Sequence, residues 1–173
     1  MSGAAGAGKR GEGARTEERE AIGPKKGDPE GGGTDGSRPL VVAFLCNWCS
    51  YAGADLAGTS RLKYPPSVRV IRVMCTGRLN PLFVIQAFRR GADGVLVAGC
   101  HPGECHYIEG NLHTRRRFAL MQPLLTYMGI EPERLQVHWI SASEGPRFAE
   151  VVVRMTDELR ALGPQTQLSE VKR

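Results

Sequence analysis

Four short apolar runs, separated by segments of helical character, constrain the fold of this chain more than any other feature of its sequence. Residues 40–45 and 94–99 are continuously apolar, as expected for strands that are buried on both faces of a sheet. Residues 68–74 and 135–140 form the other two runs. The first of these two carries Arg69 and Arg72, which indicate a partly exposed or edge position. The runs therefore predict a four-stranded sheet.

Helices are predicted between and after these strands. They cover residues 53–60, 81–90, 112–128 and 146–162. The second helix begins at Asn80-Pro81, because proline is tolerated in a first helical turn, and the third carries Leu120, Leu124 and Tyr127 on one face. Strands that alternate with helices form a parallel sheet covered on both faces. We expect a single three-layer α/β domain with a four-stranded, mostly parallel sheet in a flavodoxin-like order, strand one being central.

Residues 1–38 differ in composition from the rest of the chain. They hold half of the 22 glycines, seven Lys or Arg and seven Asp or Glu, and almost no apolar residue except Ile22. Such a segment buries too little surface to offset the entropy of ordering, so we predict that it is disordered. The expected organisation is a disordered segment over 1–38, a folded domain over 39–163 and a flexible tail over 164–173.

The formal net charge of +5 belongs to the folded part, since residues 1–38 carry no net charge. A basic domain can bind nucleic acid or dock on an acidic protein, and charge alone does not choose between them. A nucleic-acid arm in the N-terminal segment is disfavoured because that segment has no net charge, and nucleic acid is the less expected partner. No run approaches the roughly 18 apolar residues of a membrane span, and the N-terminus has no signal-peptide core. We therefore expect a cytoplasmic protein without a membrane partner.

Five cysteines follow the apolar runs. Cys46 and Cys49 follow the first strand, Cys75 ends the second, and Cys100 and Cys105 follow the third. Because the carboxyl ends of parallel strands meet at one edge of the sheet, all five are expected to converge there. In a reducing compartment, clustered cysteines indicate metal or redox chemistry rather than disulfides.

Three chemistries could use this cluster. An iron–sulfur cluster takes four thiolates, so four of the five cysteines are expected as ligands, and nearby glycines would let backbone N–H groups approach the sulfurs. Structural zinc also takes four thiolates, but usually from two Cys-x-x-Cys pairs, of which this chain has one. A thiol–disulfide oxidoreductase would need only Cys46 and Cys49 and would leave three cysteines unexplained. The iron–sulfur interpretation is favoured. Cys100 and Cys105 are expected to be essential, and one of the other three dispensable.

Four histidines accompany the cysteines. His101 and His106 each follow a cysteine directly, which is too close for both neighbours to ligate the same small cluster. We interpret them as hydrogen-bond donors around the cluster, partner contacts or surface residues. His113 and His138 are expected to be structural.

Three segments around the cysteines resemble one known family. Residues 46–51 (Cys-Asn-Trp-Cys-Ser-Tyr), 73–78 (Val-Met-Cys-Thr-Gly-Arg) and 91–107, which ends in Gly-Cys-His-Pro-Gly-Glu-Cys-His-Tyr, are similar to the delta, or iron–sulfur, subunit of methyl-viologen-reducing hydrogenase. The resemblance covers about residues 40–162. It implies a single 2Fe-2S cluster that relays electrons between a nickel–iron hydrogenase, or a formate dehydrogenase, and the flavin subunit of heterodisulfide reductase.

The resemblance also suggests roles for residues beside the cysteines. Asp55 and Arg78 are expected to shape the loops around the cluster, and Trp48 to shield it from water or simply to pack. A docking face for a partner is expected along Tyr107, Asn111, Arg115, Arg116 and Arg117. The alternative for the three arginines is a solvated helix face.

Overall fold

The computed structural model describes residues 38–170. Four parallel strands form one sheet in the order β2-β1-β3-β4. They are β1 (Val41–Cys46), β2 (Val68–Val73), β3 (Gly94–Gly99) and β4 (Leu135–Trp139). Val41 lies opposite Val68 on one side and Gly94 on the other, so β1 is an inner strand and β2 an edge. The predicted fold, with β1 central and β2 at an edge, is confirmed. The predicted disorder of residues 1–38 concerns a segment outside the described residues, apart from Arg38.

Four helices cover the sheet: α1 (Ser50–Thr59), α2 (Pro81–Arg89), α3 (Gly110–Tyr127) and α4 (Gly145–Leu162). Short 3₁₀ turns cover Thr76–Arg78 and Pro132–Arg134. The side chain of Asn80 caps α2 by accepting the Leu82 N–H at 2.9 Å, and Gly163, with φ at +78°, ends α4. Within the part of the chain that the structure describes, no helix combines the length and the apolar character that crossing a membrane requires.

The helices lie on both faces of the sheet because side chains alternate along each strand. Ala43 and Leu45 of β1 point to the face covered by α1 and α4, and Phe44 points to the face covered by α2 and α3. Each face holds its own apolar core. Phe148 of α4 lies in the core beneath α1 and α4, and Phe118 of α3 lies in the core beneath α2 and α3. The result is the expected three-layer domain.

Helix α3 has two apolar faces, and the inward one differs from the face that the sequence suggests. Its core contacts come from Phe118, Met121 and Leu125. Leu120, Leu124 and Tyr127 do share a face, but they are 77%, 52% and 90% exposed. We call these three residues the α3 stripe. Asn111 and Thr114 are buried on the inward face of α3, because both make hydrogen bonds to the cysteine loops described below.

The segment after α4 lies against the domain over residues 164–170. Arg134, which is buried, donates from Nη2 to the Gly163 oxygen at 3.0 Å and from Nη1 to the Asp93 oxygen at 3.1 Å. The Gln165 N–H donates to Asp93 Oδ1 at 3.0 Å. Glu170 pairs with Arg89 through its backbone N–H and its carboxylate. The expected flexibility of this tail is a statement about motion and stays a prediction.

Candidate metal centre

The sheet brings all five cysteines to its carboxyl edge. Cys46 is the last residue of β1, and Cys49 directly precedes α1. Cys75 comes two residues after β2 ends, and Cys100 directly follows β3. Cys105 lies in the loop from β3 to α3 and is partly buried, whereas the other four are buried. None of the five is in a disulfide, so all are free to act as ligands.

Three of the cysteines form a compact group. The Sγ atoms of Cys46, Cys49 and Cys100 all lie within 4.8 Å of one another. The Cys46 and Cys100 sulfurs are 3.9 Å apart, and the three side chains form a small buried cluster of their own. This spacing fits thiolates that share one metal centre, so we call the three residues the cysteine triad.

The remaining two cysteines flank the start of α3. A methyl group placed on Gly110 would overlap the sulfur of Cys75 and lie 3.2 Å from that of Cys105. Only a glycine lets the helix start this close to both sulfurs. This cysteine pair adjoins the triad, because the Cys46 sulfur lies 3.7 Å from the backbone oxygen of Met74, the residue before Cys75.

Buried hydroxyl groups fix the loops that carry the cysteines. Ser50 Oγ accepts the Cys46 N–H at 2.9 Å and donates to the Ala98 oxygen at 2.6 Å, so it joins the ends of β1 and β3. Thr114 Oγ1 lies 2.8 Å from Thr76 Oγ1 and donates to the Gly110 oxygen at 2.9 Å. These contacts tie the Cys75 turn to the first turn of α3.

Two side chains of α3 hold the loops from outside the cysteine group. Asn111 Nδ2 donates to the backbone oxygens of Cys100 at 3.1 Å and His101 at 2.6 Å. Arg117 Nη1 donates to the Gly77 and Leu79 oxygens at 2.9 and 2.7 Å. The expected docking role is therefore wrong for Asn111, which is buried, and Arg117 braces the loop after Cys75.

The surroundings set unequal proton affinities on the thiols. A hydrogen bond from Cys49, with support from the Trp48 N–H, lowers the pKa of Cys46 to about 6 against the effect of burial. The same contact raises the pKa of Cys49, and burial raises the pKa of Cys75 to about 11 and that of Cys100 above its usual value. Without a cation, these thiols cannot all ionise together, and a bound metal would supply the compensating charge.

Backbone N–H groups also point towards the sulfurs. Those of Trp48 and Cys49 lower the pKa of Cys46, that of Gly77 acts on Cys75, and that of His106 acts on Cys100. Donors of this kind stabilise sulfur that stays anionic, and they tune the potential of iron–sulfur centres. The soft, all-sulfur donor set fits an iron–sulfur cluster and also accepts zinc.

Three aromatic residues in the cysteine-bearing loops contact one another. The rings of Trp48 and His106 stack at 3.9 Å with an angle of 14° between their planes. Trp48 Nε1 donates to the Tyr107 hydroxyl oxygen at 3.3 Å. We call these residues the aromatic cap. It joins the loop after β1 to the loop after β3, and about half of the Trp48 and Tyr107 surface remains exposed.

The other histidines have separate partners. His101 Nε2 lies 2.6 Å from Glu144 Oε2, which also accepts the Ser141 N–H at 2.7 Å, so this pair fastens the Cys100 loop to the start of α4. His113 is exposed and faces Glu109 at 3.8 Å. Burial, with Arg154 and Arg147 nearby, lowers the pKa of His138 to about 4. A ring that stays neutral inside the fold fits the expected structural role of His138.

The sequence suggests four further residues for the site: Asp55, Arg78, Arg115 and Arg116. Asp55 is exposed on α1, and Arg78 is the exposed last residue of the turn that follows Cys75. Their role in shaping the loops around the cluster stays a prediction. Arg115 and Arg116 are exposed on α3. Sequence reasoning missed Ser50, Thr114 and Gly110. Their signal is weak because small polar residues and glycine are common in loops, although Ser50 directly follows Cys49.

A groove of about 870 Å³ opens beside the cysteine pair. It lies at the carboxyl end of the edge strand β2, and Cys75 and Gly110 form part of its wall. We call it the Cys75 groove. Its other walls are mainly apolar and include Met74, Leu79, Phe83, Tyr107 and Ile108.

Comparison with known proteins agrees with this site. The family model described as methyl-viologen-reducing hydrogenase, delta subunit, matches residues 41–163, a range that contains all five cysteines. The chain belongs to this family. The resemblance carried by the three cysteine-containing segments is confirmed, and with it an electron-transfer role associated with hydrogenase and heterodisulfide reductase.

The curated relatives that are similar to this chain include proteins of two kinds. The vhc iron-sulfur subunit of the F420-non-reducing hydrogenase from Methanococcus voltae is 52% identical over 128 residues, which are 74% of this chain and 89% of the relative. The corresponding iron-sulfur subunit from Archaeoglobus profundus is 54% identical over 126 residues, 73% of this chain and 92% of the relative.

The second kind is a much longer protein. One subunit of the ferredoxin:CoB-CoM heterodisulfide reductase from Methanosarcina mazei is 53% identical over 135 residues, which are 78% of this chain but 17% of that protein. We call this relative the long reductase subunit. A region like the present chain is therefore found both as a separate hydrogenase subunit and as one part of a reductase chain.

Proposed function

We propose that the chain is a cytoplasmic electron-transfer subunit that holds one 2Fe-2S cluster. It would relay electrons between a hydrogenase, or a formate dehydrogenase, and the flavin subunit of a heterodisulfide reductase. The observation that carries the proposal is the convergence of five free thiols at one sheet edge, three of them within 4.8 Å of one another. Two relatives named as iron-sulfur subunits support the cofactor, and relatives named as hydrogenase and reductase subunits support those partners.

The ligand set is part of the proposal. We assign Cys46, Cys49 and Cys100 as three ligands, because their sulfurs already lie together. The fourth is assigned to Cys105, because the backbone N–H of the next residue, His106, already lies against the Cys100 sulfur. Cys75 is then the cysteine that the cluster can spare. A cluster held by four thiolates supplies reversible one-electron transfer and has no open position for a substrate.

The chain's own residues prepare this site in three ways. Ser50 and Asn111 hold the loops that carry Cys46 and Cys100 at fixed positions. Backbone N–H groups of the same loops stabilise anionic sulfur. The surrounding core keeps four of the five cysteines buried, and the half-exposed aromatic cap offers an edge for a redox partner.

A thiol–disulfide oxidoreductase that uses Cys46 and Cys49 is the second candidate. The lowered pKa of Cys46, about 6, favours it because a thiolate is the attacking species. However, the sulfurs of Cys46 and Cys49 belong to side chains that are only 2% and 5% exposed, so a protein disulfide cannot reach them. This burial makes electron transfer through a metal centre the better-supported function.

Purification without oxygen, followed by metal analysis, tests the proposal. We expect a brown protein with about two irons and two acid-labile sulfides per chain. Stoichiometric zinc without labile sulfide would contradict the cofactor and indicate a structural metal site. A colourless, metal-free protein that reduces disulfides through Cys46 would instead establish the second candidate.

A further inference from the structure

The stack of Trp48 on His106 in the aromatic cap connects two of the loops that carry cysteines. Trp48 lies in the loop after β1, and His106 lies in the loop after β3. Their ring centroids are 3.9 Å apart, and the ring planes are within 14° of parallel. Tyr107 contacts both rings, since its hydroxyl oxygen accepts a hydrogen bond from Trp48 Nε1 at 3.3 Å and its ring meets that of His106 edge-on at 5.0 Å. These side chains therefore fix one loop relative to the other.

The backbone N–H groups of the same two residues donate to two neighbouring sulfurs. The Trp48 N–H donates to Cys46 Sγ, and the His106 N–H donates to Cys100 Sγ. The two sulfurs lie 3.9 Å apart, the same separation as the two stacked rings. A backbone N–H moves with the residue that carries it. Separation of the rings would therefore shift at least one N–H group relative to its sulfur.

Other contacts hold the His106 end of its loop only weakly. Asn111 Nδ2 reaches this loop at the backbone oxygens of Cys100 and His101, five residues or more before His106. The His106 side chain is exposed, and within residues 38–170 no hydrogen bond or ion pair involves it. His101, in contrast, lies 2.6 Å from a carboxylate oxygen of Glu144. The ring contacts of the aromatic cap are therefore what orients His106.

We propose that Trp48 and His106 are positioning residues whose stacking sets the reduction potential of the cluster by holding their N–H groups on the sulfurs of two of its ligands. Hydrogen bonds to sulfur stabilise negative charge, and a cluster gains one negative charge when it takes up an electron. The two donors therefore favour the reduced state, and their displacement makes the potential more negative. This inference rests on the proposed function, because it concerns the cluster that the function requires.

The test is a redox titration of the full-length protein, purified without oxygen, followed by its visible absorption. His106→Ala removes one ring of the stack and should lower the equilibrium constant for one-electron reduction about tenfold, which is about 59 mV. His106→Phe keeps a flat ring that can stack on Trp48, so it should stay within about threefold of the wild type, or about 28 mV. His113→Ala is the matched control, since it removes an exposed histidine that faces Glu109, and it should leave the potential unchanged.

A double-mutant cycle shows whether the two residues act through one contact. Trp48→Ala should shift the potential in the same direction as His106→Ala, because each variant removes one half of the stack. The double variant should change the equilibrium constant less than about twofold beyond the larger single effect, since the same contact can be lost only once. Shifts that add fully would overturn a shared role and indicate two independent effects.

Iron content and the melting temperature of each variant report whether the cluster and the fold are intact, and His106→Gln repeats the comparison should the alanine variant fail to fold. Intact variants with the potential of the wild type would overturn the inference and leave the electron-transfer function standing. A shift in His106→Phe as large as that in His106→Ala would also overturn it and assign the effect to the imidazole. Loss of the cluster from a folded His106→Ala protein would overturn it too, because the stack would then hold the site together. A wild-type protein without a cluster would contradict the proposed function itself.

Discussion

Replacing Gly110 by alanine tests the geometry of the cysteine pair most directly. Carbon and sulfur atoms in contact normally lie about 3.5–4 Å apart. The new Cβ would overlap the Cys75 sulfur and lie 3.2 Å from that of Cys105. The first turn of α3 cannot retreat freely, since a Cβ on Gly77 would lie 2.7 Å from the Gly110 oxygen, which shows how tightly these backbones pack. A displacement on the order of 1 Å at the cysteine pair is therefore expected.

Overpacking of this kind lowers the free energy of unfolding by about 1–3 kcal/mol. For a domain of this size, the melting temperature should fall by about 5–10 °C. The assay is thermal unfolding of protein purified without oxygen, followed by circular dichroism and by the visible absorption of the cluster. We expect the visible band of Gly110→Ala to bleach faster than that of the wild type at a temperature where both are folded, because Cys105 is pushed from its position.

Gly58→Ala is the matched control. Gly58 lies near the end of α1, and a Cβ there would meet no atom within 4 Å. Alanine in an exposed helical position should leave the cluster unchanged and stabilise the fold by up to about 1 kcal/mol. The reasoning is refuted if Gly110→Ala melts within about 1 °C of the wild type and keeps its visible band equally long.

Two other predictions concern groups away from Gly110. Ser50→Ala leaves the Cys46 N–H and the Ala98 oxygen without their buried partner. It should therefore lower the free energy of unfolding by about 1–3 kcal/mol and make the cluster dissociate faster. Ser60→Ala, at the exposed end of α1, is the control and should have neither effect. His138 has a pKa of about 4 in the folded protein, below its unfolded value near 6.5, so its contribution to stability is complete above pH 6.5 and falls as pH drops towards 4. The loss should be at most about 3 kcal/mol, and less for a partly exposed ring. Denaturant titrations at several pH values should show that this loss of stability is absent from His138→Gln. A variant whose stability falls with pH as that of the wild type does would contradict the assignment.

The sequence predicts the sheet well because strand burial dictates composition directly. A strand such as β3, packed on both faces, admits only small and apolar residues, and its run of six stands out from its surroundings. The arginines of β2 identify the edge for the same reason. The cysteines are equally predictable, since each follows a recognisable strand and parallel strands end at one edge.

The orientation of α3 could not be predicted from periodicity. Apolar residues occur at helical spacing on two of its faces, and the stripe of Leu120, Leu124 and Tyr127 is as apolar as the face that is buried. The choice is made by Asn111 and Thr114, whose hydrogen bonds to the cysteine loops require them to face inward. Hydropathy ranks both residues as surface residues, so a pattern of apolar positions alone selects the wrong face.

The division of the cysteines into a triad and a pair bears on how a relay could work. An electron relay must be approached from two directions, because its donor and its acceptor cannot occupy the same surface. The aromatic cap joins the loop that carries Cys49 to the loop that carries Cys105, with about half of Trp48 and Tyr107 exposed. The Cys75 groove opens beside the cysteine pair. Both surfaces meet at Tyr107, so two partners could each lie close to a single cluster without either displacing the sheet edge that holds it.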